Sequence, residues 1–77
     1  MTIELKTIQD VKDFVEISTK YYDSEIVIKQ DRYVVDGKSI LGIFSLNLLK
    51  TVEIIIDSEN DNSKISFYNE IQKWKSE

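Results

Sequence analysis

Thr51-Val52-Glu53-Ile54-Ile55-Ile56-Asp57 is the stretch that leaves this chain the least freedom. β-Branched residues alternate with polar ones, so the segment reads as a strand with Val52, Ile54 and Ile56 on one face. Ile55 stands on the opposite face, an exception among polar neighbours. A strand with one apolar face needs a sheet to lie in and a layer to cover it. The remainder of the chain reads as supplying both. Thr2 to Lys6 alternates, with Ile3 and Leu5 sharing a face. Glu25–Lys29 and Arg32–Asp36 are two further strands, and Gln30-Asp31 between them is a tight turn that would make them an antiparallel hairpin.

The covering layer is helical. Thr7-Ile8-Gln9-Asp10 has the form of a capping box, in which Thr7 accepts from a first-turn N–H and Asp10 reaches back to the cap. The helix it opens carries apolar residues at Ile8, Val11, Phe14, Val15 and Ile17, then Tyr21 and Tyr22, with Asp13, Glu16 and Lys20 outward. Ser39 to about Leu46 fits a short helix with Ser39 as N-cap. Gly42 inside it costs about 1 kcal/mol relative to alanine, which points to close packing. Ser58–Ser63 is a polar loop. The last helix turns Ile65, Phe67, Tyr68, Ile71 and Trp74 inward and places Lys73 and Lys75 near its C-terminus, where the dipole favours cations. The order β-α-β-β-α-β-α predicts an α+β fold, a four-stranded antiparallel sheet with three helices on one face, in a single domain spanning residues 1–77.

Composition restricts the chemistry. There is no cysteine and no histidine. Disulfides, thiolate nucleophiles, phosphohistidine, histidine acid–base catalysis and the usual zinc sites are therefore out of reach. No nucleophile–base pair or metal set can be drawn, so the expectation is a protein that is not an enzyme and uses no cofactor and no metal. A net charge of −4 with scattered lysines argues against nucleic acid as a partner. No window approaches a membrane span, no basic cluster suits a membrane surface, and the N-terminus lacks the apolar core of a signal peptide. A cytoplasmic protein is expected. Asp57, Glu59 and Asp61 superficially resemble a calcium loop but lack the EF-hand glycine and terminal glutamate, so a solvated loop is favoured. Asp10, Asp13 and Glu16 read as a solvated helix face.

One segment holds more apolar surface than it can hide: Ile40, Leu41, Ile43, Phe44, Leu46, Leu48 and Leu49 follow Ser39 closely. Ile43 and Leu46, three apart, would face the sheet. Ile40, Leu41 and Phe44 form another face, a candidate interface.

That segment also resembles a family. Lys38-Ser39-Ile40-Leu41-Gly42-Ile43-Phe44-Ser45-Leu46, followed by Lys50 and Val52-Glu53-Ile54-Ile55-Ile56, is similar to HPr, the small phosphocarrier of the bacterial phosphoenolpyruvate:sugar phosphotransferase system. The family's pattern there is Lys-Ser-Ile-Met-Gly-apolar-Met-Ser-Leu and then a strand of the Ala-Glu-Ile-Thr-Ile kind. Tyr22-Asp23-Ser24-Glu25-Ile26 resembles the end of the family's first helix and start of its second strand, and the resemblance runs without a gap from Thr19 to Ile56. It implies the open-faced sandwich already read from the element order. It also implies that Ser39 corresponds to the serine that a kinase modifies in Gram-positive members, and that Lys38, Ile40, Leu41 and Phe44 correspond to a partner-docking patch. The chain departs where the family carries its phosphoryl group, on a histidine in a Gly-Ile-His-Ala-Arg-Pro context. In register, Ile8 falls at the histidine, Asp10 at the arginine and Val11 at the proline, and the loop before the helix is shorter. These comparisons imply an HPr-like regulatory or protein-interaction module without phosphocarrier activity. Its docking helix is 39–46, Ser39 is its phosphorylation candidate, and a serine kinase or transcription regulator is the kind of partner expected. Two alternatives stand beside this reading: a degenerate phosphocarrier homologue acting in sugar uptake, and a homodimeric assembly module with Ile40, Leu41 and Phe44 as its seam.

Overall fold

The elements follow one another in the expected order. The computed structural model describes residues 1–76: β1 (Thr2–Ile3), α1 (Ile8–Thr19), β2 (Glu25–Gln30), β3 (Tyr33–Asp36), α2 (Ile40–Phe44), β4 (Val52–Asp57) and α3 (Asp61–Ile71), which runs on into a single 3₁₀ turn at Gln72–Trp74. The strands form one antiparallel sheet in the order β1-β4-β2-β3. β4 lies next to β2 in register Ile28↔Ile54, and the hairpin partner β3 lies at the edge in register Ile28↔Val35.

Alternation decides the faces. Val52, Ile54 and Ile56 of β4, Ile26 and Ile28 of β2, and Ile3 and Leu5 at the N-terminus are buried under the helices. Val11 and Phe14 of α1, Ile43 of α2, Leu46 and then Phe67 and Ile71 of α3 close the same core from above. Phe14 and Phe67 meet edge-on, with ring centroids 6.1 Å apart, and Tyr21 meets Phe67 in the same way at 5.3 Å. The other face of the sheet carries Glu25, Val27, Lys29, Val34, Glu53 and Ile55, as the alternation requires.

Several local expectations need correction. The hairpin turn is Asp31-Arg32, one residue later than expected. Gln30 completes β2 and is buried, and Asp31 takes the positive φ of 53°. Aspartate tolerates that conformation better than most residues do. α3 begins at Asp61 and not after Ser63, because Asn60 caps it by accepting from Asn62 N–H at 2.9 Å. Ile8, Tyr22 and Ile65 lie outside the core, at 65%, 91% and 61% exposure. Ile65 precedes Phe67 by two residues, which puts it about 200° round the helix from the buried side. Ile8 has the right spacing, but it sits in the first turn of α1, ahead of Val11, the first covered position. Tyr22 follows the helix end and escapes its periodicity.

Candidate interaction site

Two places concern function: the start of α1 and the segment around α2. These helices pack against one another over the sheet. At the start of α1 the capping box forms as expected. Thr7 Oγ1 accepts from Asp10 N–H at 3.0 Å, and Asp10 Oδ2 accepts from Thr7 N–H at 3.3 Å and from Lys6 N–H at 3.1 Å. The carboxylate therefore occupies backbone donors at the positive end of the helix, where an incoming anion would otherwise bind. Ile8 beside it presents an exposed hydrocarbon.

α2 is a single short turn of helix, held at both ends by long-range side-chain hydrogen bonds. Ahead of it, Lys38 Nζ donates to Tyr21 O at 2.8 Å and Ser24 O at 2.7 Å, tying the segment to the end of α1. Asp36 turns the chain, accepting from Lys38 N–H through Oδ1 at 2.9 Å and from Ser39 N–H through its carbonyl at 3.0 Å. Behind α2, the buried Gln30 amide closes on Asn47. Its Nε2 donates to Asn47 O at 2.7 Å, and its Oε1 accepts from Asn47 N–H at 2.8 Å. Ser39 is the N-cap, its Oγ accepting from Gly42 N–H at 3.0 Å. Gly42 is close-packed: a Cβ there would come within 3.2 Å of Ser39 Oγ and 3.4 Å of Val35 Cβ.

With both ends fixed, the apolar side chains divide by position. Ile43 and Leu46 are buried toward the sheet, as their spacing implies. Leu41 is 80% exposed and Phe44 39%. Ile40 does not join them, since it packs against the core. Nor does the Lys38 charge face outward with them, because two carbonyls hold it. Leu49, beyond the helix, is almost wholly exposed. The surface around α2 is thus narrower than the sequence suggested, with Leu41 and Phe44 as its apolar members on the helix. Gln30 went unrecognised as a determinant of this site, since nothing local marks it.

The opposite end of α1 is tied to α3 by a polar cluster. The Tyr21 hydroxyl donates to the Glu70 carboxylate and lies 2.9 Å from Ser66 Oγ, while Lys20 Nζ pairs with Glu70. Hydrogen bonds from Lys20 and then Tyr21 hold the Glu70 carboxyl below its ordinary range. Burial, followed by the bond to Glu70, pushes the Tyr21 phenol up, and the Glu70 bond raises Lys20. Among the described residues no cluster of three or more potential ligands could hold a metal ion, and no helix is long and apolar enough to cross a membrane.

Comparison with known proteins agrees with this architecture. The family profile described as PTS HPr component phosphorylation site matches residues 9–71. No curated protein matches the chain. Among solved structures, the chain is similar to HPr-C-His from Thermoanaerobacter tengcongensis, with a TM-score of 0.74 and 25% identity over 95% of this chain and 90% of that one. A profile match over most of the length, joined to the four-stranded sheet with its helices on one side, makes this chain a member of the HPr family, a family of phosphocarrier proteins and not of enzymes, whose members interact with other proteins of the phosphotransferase system.

Proposed function

We propose that this chain is a regulatory, partner-binding member of the HPr family that does not carry a phosphoryl group, and that its working surface is α2, with Ser39 as the switch. The observation that carries this reading is the state of α2. A single turn of helix is held at each end by a long-range side-chain clamp, and it presents Leu41 and Phe44 outward directly after a capping serine. Exposed apolar residues on a rigid element suit docking, because little order is lost on binding. The start of α1 supports the other half of the reading. The chain has no histidine, Ile8 stands at the position that the family resemblance aligns with the phosphohistidine, and the Asp10 carboxylate caps the helix there.

A phosphoryl group on Ser39 would add about two negative charges beside Leu41 and change what the surface attracts. The partner that reads it is a protein, either the kinase itself or a transcription regulator. The test is intact mass after incubation with the family's serine kinase and ATP, beside Ser39→Ala. The reading expects one phosphoryl group on the native chain and none on the variant. An unmodified native chain, with the kinase active on a true HPr, would reduce Ser39 to a helix cap.

A further inference from the structure

The sheet's two edges are finished differently. Along β1 the C-terminal segment lies alongside: Lys75 bridges to Ile3, Glu4 N–H donates to Trp74 O at 3.0 Å, and Ser76 N–H donates to Thr2 O at 2.9 Å. β3 forms the other edge. It contains neither lysine nor proline, the usual guards of an edge strand, and its Tyr33 and Val34 are 61% and 60% exposed.

The backbone of β3 is half used. Gly37 N–H donates to Ile26 O at 2.7 Å, in step with the pairs Ile28↔Val35 and Gln30↔Tyr33. Tyr33, Val35 and Gly37 therefore turn their backbone groups toward β2, and Val34 and Asp36 turn theirs outward. Among the described residues no backbone group beyond the sheet bonds to Val34, and of Asp36 only the carbonyl is taken, by Ser39 N–H.

We propose that this edge pairs with β3 of a second copy of the same chain, antiparallel, about a two-fold axis through Val34. Two independent features select that register. The first is the backbone, since Val34 is the central residue whose N–H and C=O both point outward and can be exchanged with its own copy. The second is charge. Centring on Val34 sets Tyr33 against Val35 of the second copy and Arg32 against Asp36 of the second copy, and symmetry repeats the ion pair. Centring on Val35 would set Arg32 against Lys38 instead and would turn inward-facing groups to the seam. One carboxylate oxygen of Asp36 is engaged by Lys38 N–H, and the other has no hydrogen-bond partner among the described residues. Val34 also shares the helix-free face with Val27 and Ile55, so pairing joins the two apolar strips across the seam. This seam is built from other residues than Leu41 and Phe44, although α2 packs against β3, and the inference does not rest on the reading of α2.

Sedimentation equilibrium of the full chain from micromolar to millimolar concentration tests it. The expected result is a mass that climbs from 9.0 kDa toward twice that value. Arg32→Glu and, separately, Val34→Lys should each weaken association by about tenfold or more with the circular dichroism unchanged. Arg32→Glu combined with Asp36→Lys should restore it. A mass that stays at the monomer value throughout would overturn the proposal and leave the edge to some other extended chain. So would association that ignores both single variants, or that is lost only in Leu41→Asp, which would put the seam on α2.

Discussion

Gln30 braces the candidate site from a buried position. Its amide fills one donor and one acceptor on Asn47, and both would be left unpaired in Gln30→Ala. That variant should lose about 2 kcal/mol in urea denaturation, with faster exchange of the Asn47 amide, and an unchanged midpoint would remove the clamp from the account. Gly37→Ala should cost about 1–3 kcal/mol, because the new Cβ would meet Ile26 Cγ2 at 2.5 Å. Ser18→Ala should do the reverse. The Ser18 hydroxyl is buried without a hydrogen-bond partner, so removing it from the last turn of α1 should stabilise by about 0.5–1 kcal/mol on the same measurement. Legibility at this scale follows the range of each bond. The caps at Thr7, Asp10 and Ser39 were readable because each closes over three residues. Lys38 and Gln30 were not, since their carbonyl and amide partners lie 14 and 17 residues away and no local pattern encodes them.

Among the elements, α1 is the one whose two ends have separate chemistry. At its start, Asp10→Ala opens the capping box and should lower stability by about 1 kcal/mol. Thermal melts of the variant beside the native chain would show this, and equal melting temperatures would contradict it. At its far end the Glu70 cluster makes the packing of α1 on α3 depend on pH. A carboxyl held below its ordinary range in the folded chain stabilises the fold above its unfolded pKa, and that contribution fades as the pH falls through the folded value. Lys20 and Tyr21 are both raised, so what they contribute is present at neutral pH and fades as the solution becomes strongly alkaline. Glu70→Gln should therefore melt lower than the native chain at neutral pH and close to it in acid, and parallel profiles for the two would exclude the cluster as the cause. Periodicity revealed each element but not its whole buried side. Phe67 and Ile71 face the core, while Ile65, with equal hydrophobicity, is turned away by two residues of helical rotation.

For the whole molecule, the sheet was legible because the strand patterns of Val52–Asp57 and Glu25–Lys29 leave one apolar face that only the helices can cover. Its edges were not legible. What closes the β1 edge is a bond pattern between the two ends of the chain, and what leaves β3 open is the lack of any such neighbour among the described residues. A domain this small buries roughly 60% of its unfolded surface, so long-range clamps such as Lys38 and Gln30 count for more than they would in a larger core. The family fold thus persists in a chain with no histidine, with the start of α1 closed by its own capping carboxylate. Intact mass after incubation with phosphoenolpyruvate and the family's enzyme I, beside a histidine-bearing HPr as positive control, tests that claim most directly. The mass of this chain should stay unchanged while the control gains a phosphoryl group, and a gain on this chain as well would make it a phosphocarrier.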